Sequence, residues 1–213
     1  MKRVFISLYG AELPVFMKLN PKASEPIICA DSGILLVKKL KYNPKNVVLI
    51  GDLDSVSKKD LEWCMKNKFK IIKHHINKDF TDGHLAIEYA CENYPRDIEK
   101  IIIGGVTNQL DHTLGNILPA IPFVEEGHII RIVNDKQGIY LTNKDINIYN
   151  CKGHTISLIP LKETFITKTY GLKWKLDNET IYPYQSRTLR NLATKSKASV
   201  NISSGILMTI EVS

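Results

Sequence analysis

Four short stretches of the chain set acids beside small polar residues. They are Asp31-Ser32-Gly33, Gly51-Asp52-Leu53-Asp54-Ser55, Asp79-Phe80-Thr81-Asp82-Gly83, and the segment from Gly104-Gly105 through Gln109 to Asp111-His112. Asp52 and Asp54 lie one residue apart, and like charges that close repel unless a cation sits between them or water solvates them. Singly, each stretch has an ordinary use as a helix cap, with Asp31 and Ser32, Thr81 or Asp82, and Asp54 and Ser55 as the capping groups. A cap needs one short polar residue, so four acidic loops exceed that need. A hard divalent cation accounts for the excess, because Mg²⁺ takes a few carboxylates and fills its shell with water and phosphate oxygens. The chain has neither GxxxxGK[ST] nor a strand-coupled GxGxxG, the usual phosphate cradles. What remains is phosphoryl or pyrophosphoryl transfer by positioning and metal neutralisation.

The elements that must position these acids are legible as alternating patterns. Apolar runs at 4–9, 26–30, 47–50, 70–73, 100–105 and 128–133 are continuous and rich in Val and Ile. Such runs suit strands buried on both faces of a parallel sheet. Helical patterns are expected at 32–41, 57–67, 81–94 and 111–127, the last bent or shortened by Pro119 and Pro122. The alternation predicts a doubly wound α/β domain over 1–133. In such a sheet ligands bind beyond the carboxyl ends of the strands, and the acids fall at those ends. From 134 to 213 short β-type runs are separated by Asn, Asp, Gly and Lys, which predicts a small all-β sandwich domain. Trp174, within a short β motif, is expected in its core.

Bulk properties narrow the classes. Of 213 residues, 44% are hydrophobic and 24% charged, which is the balance of a soluble globular protein with a real core. No apolar run reaches membrane-span length. The basic tip before the first apolar run is followed by Gly10, Glu12 and Pro14, so a strand in a cytoplasmic protein is expected rather than a signal peptide. Cys29, Cys64, Cys91 and Cys151 are far apart and are expected as reduced, half-buried thiols. His74 and His75 lack partners at zinc spacing and are expected in a loop. A net charge of +7 suits a polyanion such as a nucleotide. No nucleic-acid motif accompanies it, and Arg187, Arg190, Lys195 and Lys197 are expected on a solvated face.

The order of motifs resembles the thiamine pyrophosphokinase family. The resemblance runs from Asp-Ser-Gly through Gly-Asp-Leu-Asp-Ser, Lys78-Asp79-Phe80-Thr81-Asp82 and Asp111-His112-Thr113-Leu114-Gly115-Asn116. It continues with Gly171-Leu172-Lys173-Trp174-Lys175-Leu176 and closes on Ser204-Gly205-Ile206-Leu207. It implies a nucleotide-binding domain, a thiamine-binding and dimerising sandwich, and a homodimer. It also implies transfer of the terminal pyrophosphate of ATP to the hydroxyethyl oxygen of thiamine, giving thiamine diphosphate and AMP. On this resemblance Asp52, Asp54 and Asp82 are Mg²⁺ ligands and, with Asp111, the catalytic set. Asp31, Ser32, Lys78, Asp79, Thr81 and Gln109 fall on the nucleotide, and Asp111 and Asn191 on thiamine. The chain departs from the family pattern twice: Gln109 stands where an arginine is usual, and Arg190-Asn191 where Ser-Asn is usual. These departures leave open a related pyrophosphokinase acting on another alcohol such as a hydroxymethylpterin; a separate alternative is an inactive nucleotide-binding regulator of the same fold. A nucleic-acid or membrane partner is not expected.

Overall fold

A computed structural model describes residues 3–41, 44–75 and 79–213. The chain forms two compact units. One runs through Ala120 and takes in Ile132–Asp135; the other comprises Ile121–Arg131 and Lys136–Ser213.

The first unit is built on the parallel strands β1 (Arg3–Ser7), β2 (Ile27–Ala30), β3 (Val47–Gly51), β4 (Lys70–Lys73) and β5 (Glu99–Ile103). They are ordered β5-β1-β2-β3-β4, and β6 (Ile130–Val133) flanks β5. All four pairings within the five are parallel. In β1, β2, β3 and β5 the continuous apolar runs reflect burial on both sides, whereas β4, at the sheet edge, is partly exposed. Phe5, Ile27, Cys29, Leu49 and Ile101 join a core with Phe16 of α1 (Leu13–Lys18), Leu36 of α2 (Ile34–Lys38) and Cys64 of α3 (Lys58–Lys66). The alternate residues, among them Ile6, Ile28 and Ile102, are also buried. They face the other side of the sheet, where α4 (Asp82–Asn93) packs across β1, β2 and β3. Helices on both faces make the doubly wound arrangement read from the sequence.

Three local outcomes differ from the sequence expectations. The segment around Pro14 is a short helix, with proline in its first turn, where its missing N–H costs nothing. The expected helix at 32–41 begins as a single 3₁₀ turn at Asp31–Gly33 before α2. The pattern at 111–127 divides into α5 (Leu110–Ile117), a 3₁₀ turn at Leu118–Ala120 holding Pro119, and α6 (Ile121–Glu125) holding Pro122.

The second unit holds eight strands: β7 (Gln137–Thr142), β8 (Ile146–Tyr149), β9 (Thr155–Pro160), β10 (Thr164–Tyr170), β11 (Asp177–Ile181), β12 (Asn191–Leu192), β13 (Lys197–Ser204) and β14 (Leu207–Val212). They form antiparallel rows, β12-β9-β14-β7 and β11-β10-β13-β8. Ile148, Ile156, Leu158, Ile166, Val200 and Leu207 fill the space between them. Alternating burial along β8 and β9 is what two sheets sharing one core require. All four cysteines are free and buried, rather than half-buried as expected.

Gly33 ties the first sheet to the loop that carries Asp31. The Ser7 hydroxyl donates to the Gly33 carbonyl at 2.8 Å in the core. A β-carbon on Gly33 would collide with the Ser7 carbonyl oxygen and lie 3.3 Å from the Leu8 nitrogen. Both obstacles are backbone, so neither can rotate away. Gly33→Ala is expected to lower stability by about 1–3 kcal/mol, read from the denaturant midpoint; an unchanged midpoint would show that the turn can slide off β1.

Candidate active site

The sheet's carboxyl edge gathers the acids as the topology requires. Carboxylate oxygens of Asp31, Asp52 and Asp82 lie within 4.8 Å of one another. Asp31 leaves β2, Asp52 leaves β3, and Asp82 opens α4. Thr81 caps that helix, its hydroxyl accepting from the His84 N–H at 3.2 Å. Gly51 makes the convergence possible. Its φ is +147°, and a β-carbon there would collide with Asp31 Oδ1 and stand 2.8 Å from Asp82 Oδ1.

The backbone around the carboxylates is shaped to hold them. Asp31 (φ +43°) and Leu53 (φ +68°) both occupy the left-handed region, which is sparsely populated by residues with side chains and recurs at functional sites. The Leu53 N–H donates to Asp31 Oδ1 at 3.0 Å, locking the two turns together. Burial, reinforced by the neighbouring Asp82 carboxylate, pushes the Asp31 carboxyl up to about 7, against the hydrogen bond from Leu53. Such a group ionises reluctantly until a cation joins it.

Most of the other predicted site residues lie along the same unit. Asp54 lies outside the group of three: it is exposed, and its N–H donates to Asp52 Oδ1 at 3.1 Å. Asp79 and Thr81 are exposed in the loop before α4. Lys78 lies outside the described residues. Gln109 is the residue before α5, its side chain exposed; its N–H donates to the Thr107 hydroxyl at 3.1 Å. Asp111 sits in the first turn of α5 with its carboxylate accepting the His112 N–H at 2.9 Å.

A cavity of about 370 Å³ opens beside the carboxylates, lined by Asp31, Ser32, Thr81, Asp82, Thr107 and His112 among others. Gly104 (φ +85°) lets the chain after β5 pass the loop after β1, where a β-carbon would stand 2.8 Å from both the Tyr9 oxygen and the Ala11 nitrogen. Asn116 donates from Nδ2 to the Gly105 carbonyl at 3.1 Å, and Thr113 Oγ1 accepts from the Thr107 N–H at 3.0 Å. These two side chains fold the 104–109 loop against α5. Thr107 and the loop-bracing role of Asn116 were missed by sequence reasoning; the only signal was their position after a strand and one helical turn beyond Asp-His.

Asn191 lies in the second unit, and it is buried. Its Oδ1 accepts from the N–H groups of Trp174 at 3.1 Å and Leu192 at 2.9 Å, while Nδ2 donates to the Trp174 carbonyl at 2.6 Å. The core position expected for Trp174 is not realised: the residue is 57% exposed. Leu172 and Leu176 take the buried places of that loop, and the Asn191 bonds hold the segment between them outward. Trp174 and Asn191 line a second cavity of about 740 Å³.

Comparison with known proteins bears on the whole chain. Residues 17–132 match the family described as thiamin pyrophosphokinase, catalytic domain, and residues 128–207 match thiamin pyrophosphokinase, vitamin B1 binding domain. Thiamine pyrophosphokinase 1 of Oryza sativa is 26% identical over 234 residues, spanning 97% of this chain and 86% of its own. Thiamine pyrophosphokinase of Bacillus subtilis is 30% identical over 173 residues, 77% of each chain. Its crystal structure shares the fold at a TM-score of 0.82 and 23% identity, covering 100% of this chain and 99% of that one. That of the Candida albicans thiamin pyrophosphokinase does so at 0.78 and 19%, covering 100% and 89%. With acids converging at the sheet edge and both family domains matched in sequence order, the chain belongs to the thiamin pyrophosphokinase family.

Proposed function

We propose that this protein is a thiamine pyrophosphokinase, moving the terminal pyrophosphate of ATP onto the hydroxyethyl oxygen of thiamine to give thiamine diphosphate and AMP. The observation that carries the chemistry is the convergence of Asp31, Asp52 and Asp82. The family match names the acceptor.

The donor set fits a hard cation. It is all carboxylate oxygen, it draws on three separate corners, and burial, reinforced by Asp82, raises the carboxyl of one member above the ordinary range. Asp31, Asp52 and Asp82 would hold Mg²⁺, with Asp54 reaching the same rim from its exposed position. When bound, that ion supplies charge neutralisation for the phosphate oxygens during attack at phosphorus. The chain's own groups do the rest. Ser32, Thr81, Thr107 and the N-terminus of α4 offer donors to phosphate oxygens along the cavity wall. Asp79 and Gln109 serve the nucleotide, Asp111 serves thiamine from the first unit, and Asn191 acts within the second unit by fixing the Trp174 loop. Thiamine's hydroxyl must reach the β-phosphorus in line, which is a matter of positioning rather than of a strong base. The protein acts as a cytoplasmic homodimer in this reading; among the described residues no helix is long and apolar enough to cross a membrane.

AMP release from ATP, thiamine and Mg²⁺ tests the reading. Asp82→Asn is expected to lower kcat by about a hundredfold or more with the circular-dichroism spectrum unchanged, and Asp54→Asn by less, because Asp54 stands outside the close group. Equal losses would give Asp54 a full ligand's share, and no AMP with thiamine would remove the assignment.

The raised Asp31 carboxyl makes a second, metal-free prediction. An acid whose folded-state pKa lies above its unfolded value of 3.8 opposes folding once it must ionise. Its penalty grows as pH rises from about 4 to about 7 and is then constant. In EDTA, Asp31→Asn is therefore expected to raise the urea midpoint at pH 8 and to raise it less at pH 5. A variant that is less stable at pH 8 would show that the carboxylate is already compensated within the fold.

A further inference from the structure

Gly115 stands where the fold itself asks for no glycine. Of the chain's twelve glycines, seven adopt a positive φ that favours the residue. Gly33, Gly83, Gly105 and Gly138 are hemmed in, because a β-carbon on any of them would come within 3.3 Å of a neighbouring atom. Gly115 has neither reason. Its φ is not positive, and a β-carbon there would meet nothing within 4 Å. It also lies inside α5, where glycine weakens a helix relative to alanine. A residue that destabilises its helix and relieves no contact has its reason outside the fold.

That reason is the first unit's cavity. Gly115 lines it together with His112 and Asn116. Helical neighbours at this spacing share one face of α5, and Gly115 is the bare strip on it. The adjoining walls are fixed. Asn116 donates to the Gly105 carbonyl at 3.1 Å. A β-carbon on Gly83 would stand 3.0 Å from Asn116 Oδ1 and 3.6 Å from Leu8 Cδ2, so α4, α5 and the residue after β1 abut there. The slot cannot widen to take a side chain at 115.

The same cavity reaches Asp31, Thr81 and Asp82. A nucleotide whose phosphates rest at those carboxylates through a cation must send its nucleoside away from them. All the residues that line the cavity belong to the first unit, most of which the catalytic-domain match covers. The vitamin-binding match falls on residues 128–207, outside the cavity wall. The donor's nucleoside, rather than the acceptor, is the part that fits.

Resting on the function proposed above, we propose that Gly115 is a specificity-determining residue whose missing side chain forms the seat for the flat base of the donor nucleotide. The base lies against the bare main chain of α5, beside the apolar Leu8. The helix gives up stability at this position to leave room for it.

Gly115→Ala and Gly115→Leu test this, because both replacements are good helix formers and differ in the volume they place in the cavity. Gly115→Ala is expected to raise the urea midpoint. It is also expected to raise the KM for ATP about tenfold or more while leaving the KM for thiamine unchanged, and Gly115→Leu to raise the KM for ATP further. Inorganic triphosphate, added with Mg²⁺ to compete with ATP, carries phosphates without a base, so its inhibition constant is expected to stay the same in both variants. Calorimetric titration with ATP and Mg²⁺, without thiamine, makes the same comparison without turnover. An ATP affinity unchanged in both variants, an equal loss for triphosphate, or a rise confined to the KM for thiamine overturns the proposal. A lowered urea midpoint in Gly115→Ala overturns it as well, by showing that the fold needs the glycine. If the unaltered chain forms AMP from ATP and thiamine while any of these results is found, this inference alone fails. If it forms none, the function on which the inference rests fails, and the calorimetry still judges the seat at Gly115.

Discussion

Mutual repulsion among Asp31, Asp52 and Asp82 is the constraint around which the first unit is organised. Three carboxylates with oxygens inside 4.8 Å are an unstable arrangement in an isolated protein. It persists because the backbone over-determines it. Two parallel strands end side by side, so their first loop residues cannot separate without breaking the ladder between β2 and β3. Gly51 leaves the space that a side chain would fill, and the Leu53 N–H engages Asp31 directly. Left-handed conformations at Asp31 and Leu53 are the local cost of that geometry. The buried sheet beneath, with Phe5, Ile27, Leu49 and Ile101 in one core, supplies the stability against which the strain is held.

The second unit solves a different problem with a similar economy of means. A sandwich core hides its apolar faces and leaves its loops to carry chemistry. Here a buried asparagine replaces several contacts at once. Asn191 bonds both the N–H and the carbonyl of Trp174, so the aromatic ring is presented outward by main-chain geometry rather than by packing. Gly171 lets the loop pass close to β13, where a β-carbon would stand 3.1 Å from the Ala198 Cα. Truncating Asn191 would therefore act on Trp174 through the backbone, and a loss of thiamine affinity in such a variant would not show direct contact.

Much of this was legible in the sequence because the signals were periodic or positional. Continuous Val- and Ile-rich runs marked strands buried on both sides, and acids immediately after those runs marked the sheet's working edge. What could not be read was anything decided by backbone conformation. Asp31 and Asp54 are indistinguishable as letters, yet a left-handed turn sends one into the carboxylate group while the other faces water. Trp174 looked like a core residue because tryptophan usually is one; only the bonds from Asn191, seventeen residues away, turn it outward. The helix at Leu13–Lys18 was hidden because its few residues lie between a strand and a loop without a full apolar period.

The overall charge of +7 gains meaning once it is resolved in space. The carboxylate site is locally negative and the Trp174 cavity locally positive, so a single net figure describes neither. A polyphosphate can be drawn to the first only with a cation, and to the second without one. That separation follows from the donor atoms alone: oxygen anions need a bridging ion to hold phosphate, and guanidinium groups do not.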